Sequence, residues 1–241
     1  MILGIETSGE TAGLALVRDG EVVRERTFPS RMTLNQRLAP QLQELLAQEP
    51  SETGLQMIAA GVGPGSFTGV RMGVALAKAF AHALSLPLAG VSAPEAIASA
   101  LGCEAGSRVL VLQQARGDEV YATALSIADN GLPMESVPTR VLGPEAALEM
   151  AHEALQGPPD FIAGDGVTAA LDRIAAVFPN ATIGDAQNGT PTAVEVARVA
   201  ALRPESADRG NVFSLTPRYV SLSQAERQFG VDLGISGGGH A

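Results

Sequence analysis

An α/β fold of two lobes is what this sequence predicts, and three observations predict it. Short apolar runs broken by Gly, Asn and Asp turns alternate with longer segments of helical period. The same order of elements, strands first and then alternating helices and strands, starts near Ile2 and again near Arg108. The length, 241 residues, suits two lobes of about 100 residues each.

The first strand is Ile2 to Thr7, an apolar run that stops at Thr7-Ser8-Gly9. Thr11 to Val17 is a second strand, Arg18-Asp19-Gly20 a turn, and Glu21 to Phe28 a third strand, so the chain begins as an antiparallel meander. The period then changes. Thr33-x-x-Gln36 is a capping-box pattern, and Leu34, Leu38, Leu42, Leu45 and Leu46 make one apolar helix face, with Pro40 expected to kink or loosen it. Met57 to Val62 is a strand, Phe67 to Leu84 a long helix, Leu86 to Val91 a strand, and Ser92-x-x-Glu95 caps a helix to Leu101. This β-β-β-α-β-α-β-α order is the half-module of the actin, Hsp70 and sugar-kinase fold.

A second unit starts near Ser107. Arg108 to Gln113, Glu119 to Ile127 and Pro138 to Leu142 read as strands, and Pro144 opens a helix to about Leu155. Asp160 to Ala163 is a strand, Gly164-Asp165-Gly166 leads into a helix through Phe178, and Thr192-x-x-Glu195 caps another to Leu202. The expected architecture is an actin-like ATPase (ASKHA, ribonuclease H-like) fold with a reduced second lobe. Residues 1–103 form the first lobe and 104–221 the second, and the Gly-rich residues 222–241 form a flexible tail.

Composition narrows the function classes. No apolar stretch approaches the roughly 18 residues of a membrane span, and Met1 to Glu6 has no basic leader, so a cytoplasmic location is expected. Cys103 is the only cysteine, which excludes an intrachain disulfide. The formal charge is −10: residues 1–100 carry seven basic against nine acidic side chains, and the remainder nine against seventeen. Because phosphate neutralisation drives nucleic-acid affinity, the isolated chain should bind tRNA weakly. Arg18, Arg24, Arg26, Arg31 and Arg37 are either a local basic patch or solvated positions interleaved with Asp19, Glu21 and Glu25.

The most informative segment is Gly61-Val62-Gly63-Pro64-Gly65-Ser66-Phe67-Thr68-Gly69-Val70-Arg71, a rigid strand-to-helix turn with Ser66 placed to cap the helix. It is not a Walker A loop, since no Gly-Lys-Ser/Thr follows and the only lysine is Lys78. Behind it, Gly69, Gly73, Ala77 and Ala81 lay a small-residue stripe along one face. Such a stripe marks close approach of another backbone, from the same lobe or from a partner.

The run Gly63 to Arg71 resembles the signature of the TsaB (YeaZ-like) family and of its larger catalytic relative TsaD. Ile5-Glu6-Thr7-Ser8, Gln36-Arg37-Leu38-Ala39-Pro40 and Ala115-Arg116-x-x-Glu119-Val120-Tyr121 resemble TsaB in the same order, with fainter matches at Ala163-Gly164-Asp165-Gly166 and Pro217-Arg218-Tyr219-Val220. Glu6 and Gln114 stand where the family usually has Asp, Leu34 where it has His, and Ser221 where it has Arg. The resemblance implies an actin-like fold and a partner role beside a TsaD-like catalytic subunit and a TsaE-like ATPase. That complex moves a threonylcarbamoyl group onto N6 of adenosine 37 in tRNAs reading codons that begin with A. It also implies homodimers when the chain is alone and contact with tRNA only through the complex. No intrinsic cofactor is expected, and any ATP or ADP is expected at the interface with the catalytic partner. The interface is expected on the helices after Thr33 and after Ser66, at Leu38, Leu42, Phe67, Gly69, Val70, Arg71, Gly73, Ala77 and Ala81.

Independent catalysis is not expected. An actin-like ATPase needs two phosphate loops, each with an acid to hold hydrated metal. Glu6-Thr7-Ser8 is the candidate first loop, but the second position offers Gln113-Gln114-Ala115-Arg116, an amide where a carboxylate is needed. His82, His152 and His240 are isolated, with no metal-ligand spacing. The competing class, an autonomous ATP-dependent kinase or transferase of the actin-like superfamily, would require that missing acid.

Overall fold

In the computed structural model, residues 1–30, 33–47, 54–185, 189–208 and 212–220 are described. The expected tail and Arg31 lie outside them. The described residues form two compact units, the first within Met1–Ala96 and Pro191–Arg218, the second within Ile97–Thr190 together with Tyr219 and Val220.

The first unit is built on a five-stranded sheet: β1 (Ile2–Glu6), β2 (Thr11–Arg18), β3 (Glu21–Pro29), β4 (Met57–Gly61) and β5 (Leu88–Val91), in the order β3-β2-β1-β4-β5. The meander β1-β2-β3 is antiparallel, and β4 and β5 add in parallel to β1. Strand alternation divides the side chains between two faces. Leu3 and Ile5 of β1 join Leu14 and Leu16 of β2 beneath α1 (Leu34–Ala47) and α2 (Phe67–Leu84), in a core with Leu38, Leu42, Leu45, Ala77 and Ala81. Ile2, Ala15 and Val17 face the other way and pack on Ala193, Val194 and Ala197 of α6 (Ala193–Leu202).

The assignment of α6 corrects the expected boundary, which gave everything from residue 104 to 221 to the second lobe. α6 belongs to the first unit. Its residues 193–197, 199 and 200 are all buried, as in a helix covered on most sides. It lies so close to β1 that a Cβ on Gly4 would collide with the carbonyl of Ala193. At its C-terminal end, the Arg203 guanidinium bridges to Glu95 Oε1 at 2.5 Å and Oε2 at 3.1 Å, and donates to the Gly90 carbonyl at 3.0 Å. Glu95 also completes a capping box on α3 (Ala93–Ala100), accepting from Ser92 N at 2.7 Å.

From α6 the chain returns along β5. Asp208 pairs with Leu88 in an isolated bridge, Val212–Ser214 forms one turn of 3-10 helix, and Arg218 N donates to the Val62 carbonyl at 2.8 Å. Leu215 packs with Val62, Val70 and Val74.

The second unit repeats the topology. Its strands are β6 (Arg108–Gln114), β7 (Val120–Ile127), β8 (Pro133–Leu142), β9 (Phe161–Ala163) and β10 (Thr182–Ile183), ordered β10-β9-β6-β7-β8. Read from β8, this is the first sheet's pattern again, an antiparallel meander followed by two parallel additions. Reduction shows in β9 and β10, of three and two residues. α4 (Pro144–Ala154) and α5 (Leu171–Val177) cover one face through Leu148, Ala151 and Ile174, and Ile97 and Ala98 pack on the other with Val109, Val111 and Leu125.

Several local expectations change. β8 begins at Pro133, five residues before the expected start at Pro138. The segment after Gly164 is a 3-10 helix, Asp165–Ala170, before α5 begins. Thr33 Oγ1 donates to the Pro29 carbonyl at 3.4 Å, where a capping box would have it accept from the helix. α1 continues through Pro40, which sits on the exposed side, where solvent can replace the bond lost to the Gln36 carbonyl.

Candidate functional site

The end of β1 and the glycine-rich turn before α2 meet in the first unit. Ser66 caps α2, its Oγ accepting from Gly69 N at 3.2 Å, and Ser66 N donates to the Ser8 carbonyl at 2.7 Å. The Gly63–Pro64 peptide is cis. Thr7 Oγ1 donates to the Gly69 carbonyl at 2.8 Å, and Ser8 N donates to Glu6 Oε1 at 2.5 Å. Glu6, Thr7 and Ser8 are all buried, Glu6 with 1% of its surface exposed.

These three residues therefore do not fit a phosphate-binding loop. The Ser8 amide, the Thr7 hydroxyl and the Ser8 carbonyl are each engaged by the chain itself, and the Glu6 carboxyl is enclosed where a hydrated metal has no access. Its Oε2 lies against Gly61, close enough that a Cβ there would collide with it, and has no hydrogen-bond partner among the described residues. Among the described residues no three His, Cys, Asp or Glu side chains gather to hold a metal ion.

The second candidate loop changes in detail. Gln114 is exposed, its amide N–H donating to Asp165 Oδ1 at 2.7 Å and its Nε2 to the Gly117 carbonyl at 3.2 Å. On β1, Ile2, Gly4 and Glu6 share a face. On β6 the corresponding face carries Val109, Val111 and Gln113, so the counterpart of Glu6 is Gln113. Gln113 is buried, and its Oε1, like Glu6 Oε2, has no hydrogen-bond partner among the described residues. The repeat thus carries a neutral amide in place of the acid.

Burial is the main influence on Glu6 and pushes its carboxyl above its ordinary 4.5, while hydrogen bonds from Ser8 and Thr7 pull it part of the way back. Between the ordinary and the raised value, the folded chain holds a proton that the unfolded chain has released, so stability falls as pH rises through that window. Glu6→Gln should therefore stabilise the chain relative to the parent at pH 8 and lose that advantage below about pH 4, where both states are protonated. Paired urea titrations at the two pH values measure it, and a difference that does not change with pH would disprove the assignment. Cys103 is half-buried, and burial, followed by the charge of Asp160, raises its thiol, which favours the inert form.

The expected interface residues divide. Leu38, Leu42, Gly69, Val70, Gly73, Ala77 and Ala81 are buried inside the first unit. A Cβ on Gly69 would run into the Thr7 carbonyl, and one on Gly73 into Thr7 Oγ1. The small-residue stripe is the seat of β1's end against α2, so these seven positions are corrected from partner surface to core. Phe67 and Arg71 remain at the surface, the Arg71 guanidinium 3.6 Å from the centre of the Phe67 ring.

A different stripe faces outward. Ala75, Ala79 and Ala83 recur every four residues on α2 and are exposed. Along one side of it run the half-buried Met72, Leu76 and Phe80, seated on the core beneath. Along the other run Arg71, Lys78 and His82. The sequence carries both stripes at the same spacing, and only the sheet beneath α2 decides which is covered.

The TsaD family model, described as tRNA N6-adenosine threonylcarbamoyltransferase, matches residues 32–209. The tRNA threonylcarbamoyladenosine biosynthesis protein TsaB of Bacillus subtilis is 33% identical over 230 residues, covering 95% of this chain and 97% of that protein. The Escherichia coli protein of the same name is 36% identical over 158 residues, covering 64% of this chain and 66% of its own. A Pseudomonas aeruginosa crystal structure, described as similar to peptidase YEAZ, superposes with a TM-score of 0.70 at 26% identity, covering 91% of this chain and 99% of that one.

Proposed function

Since the chain belongs to the TsaB (YeaZ-like) family, we propose that it serves tRNA threonylcarbamoyladenosine biosynthesis as a partner subunit, docking on a TsaD-like catalytic subunit. A TsaE-like ATPase joins that complex, and the modified base is adenosine 37 of tRNAs reading codons that begin with A. Alone, the chain pairs with a second copy through the same surface. The observation that carries the reading is the exposed Ala75–Ala79–Ala83 stripe with its apolar border of Met72, Leu76 and Phe80. Small residues let a partner helix come close, and the border supplies apolar area to bury. Any ATP or ADP in the complex is held with the partner's residues, because the Thr7 hydroxyl, the Ser8 amide and the Ser8 carbonyl are engaged within the chain and the Glu6 carboxyl is buried. An autonomous kinase or transferase is disfavoured by the amide of Gln113 at the place of the second acid.

Ala79→Arg tests the surface. It places a long charged side chain on the stripe without touching the core. Association with the TsaD-like subunit should weaken about ten-fold or more, equivalent to roughly 1.4 kcal/mol or above. The melting temperature should stay within about 2 °C, as for an ordinary surface change. Calorimetric titration of the two proteins reads the first quantity and thermal unfolding the second. Unaltered association would move the docking surface elsewhere.

A further inference from the structure

The cationic border of α2 differs from the rest of this acidic chain. α2 has no Asp or Glu in 18 residues. On a wheel of 100° per residue, Phe67, Arg71, Lys78 and His82 fall within about 60° of one another. Lys78 is the only lysine in a chain of net charge −10.

Beside this row stands Phe213, 57% exposed, the most exposed large apolar side chain among the described residues. It is held in place from three directions. Lys78 Nζ donates to its carbonyl at 3.0 Å, the His82 ring lies 5.2 Å from its ring at a tilt of 53°, and the 3-10 turn Val212–Ser214 fixes its backbone. The carboxylate on this stretch of chain, Asp208, accepts from Ser214 Oγ at 2.9 Å. A fixed, uncovered aromatic ring beside an ammonium group is the arrangement that takes a stacked base and its neighbouring phosphate. An ammonium with one donor spent on a carbonyl has two left for phosphate oxygens.

We propose that Phe213, Lys78, His82 and Arg71 form an RNA-contacting edge, where a single-stranded nucleotide stacks on Phe213 and its phosphates meet Lys78 and Arg71. The inference rests on the partner-subunit reading, in which this edge lies at the rim of the docked α2 face and meets RNA carried by the complex. Few cations on an anionic chain give a weak contact alone and an additive one within an assembly.

The test is fluorescence anisotropy of a labelled, unmodified tRNA transcript titrated with the chain bound to its TsaD-like subunit, across a salt series. Phe213→Ala should weaken RNA binding about ten-fold. The double variant Lys78→Gln with His82→Gln should flatten the slope of log affinity against log salt by about one. Affinity for the TsaD-like subunit, measured without RNA, should be unchanged in both variants. RNA binding equal to the parent's in both variants overturns the proposal. So does a parallel loss of partner affinity, which would make the patch a protein contact. Should the parent chain fail to bind the subunit, the partner reading falls. The same proteins titrated alone at low salt then decide the edge: a weak parental signal lost in both variants supports it, and an equal or absent signal overturns it.

Discussion

Gly73→Leu lowers the melting temperature of this chain by roughly 6–12 °C, corresponding to about 3 kcal/mol at the upper end of overpacking costs. Gly73 is buried mid-helix on α2, and a Cβ there meets Thr7 Oγ1 and, at 3.3 Å, Thr7 Cβ and Cγ2. Thr7 has little freedom to withdraw, because its hydroxyl is bonded to the Gly69 carbonyl at 2.8 Å. Leucine therefore forces α2 away from the end of β1 and breaks that bond as well. The cause is separable by a double-mutant cycle. Thr7→Ala removes the hydroxyl and methyl that collide, so Gly73→Ala should cost clearly less in the Thr7→Ala background than in the parent, with a coupling of about 1 kcal/mol. Additive effects would show that Gly73 is needed for another reason, and a stable Gly73→Leu variant would return the stripe to the surface.

Arg203→Ala is expected to cost about 3 kcal/mol, again roughly 6–12 °C in melting temperature. The Arg203 and Glu95 side chains are 19% and 9% exposed, so this ion pair is shielded from water. Removing the arginine leaves the Glu95 carboxylate buried, still accepting from Ser92 N but without its cation, and frees the Gly90 carbonyl. A lost partner for a buried charge is far more costly than a lost surface bridge. Arg203→Met with Glu95→Gln should recover most of the loss, since the neutral amide retains the cap and methionine fills the space. Calorimetric unfolding of the three variants measures this. A single variant within about 1 kcal/mol of the parent would mean that solvent reaches the pair and weakens it.

Legibility in the sequence followed the physics of each element. α2 was readable to its ends, Phe67 and Leu84, because Ser66 caps one end and Ser85-Leu86-Pro87 breaks the other. β10 was not, since two exposed residues carry no alternation to detect. Pro138 inside β8 read as a strand start, yet β8 is an edge strand, where a missing donor is tolerated. The membership of α6 was invisible because helical period says that a face is covered and not by which sheet. Gly4, one of the residues that lets α6 approach, stands in the sequence as an ordinary strand glycine. The same limit governed the interface. Spacing marked Gly69, Gly73, Ala77 and Ala81 as a contact stripe; the contact at the two glycines proved to be the chain's own Thr7, and the two alanines pack into the core of the first unit. The return segment through Phe213 and Leu215 has no period at all, so its packing on Val62, Val70 and Val74 left no trace to read.

The packing of α6 also bears on how the chain is made. One face of the first sheet is complete only when Ala193–Leu202 arrives, after nearly all of the second unit has been translated. At about 5–20 residues per second, the roughly 110 residues between Val91 and Leu202 take on the order of 5–20 s. During that interval Ile2, Ala15 and Val17 have no helix to cover them, while Leu3, Ile5, Leu14 and Leu16 already have α1 and α2. The nascent first unit is thus half-finished on the ribosome. It is closed from behind by α6, so the second unit must fold as an insertion into a first unit that is still waiting for that helix.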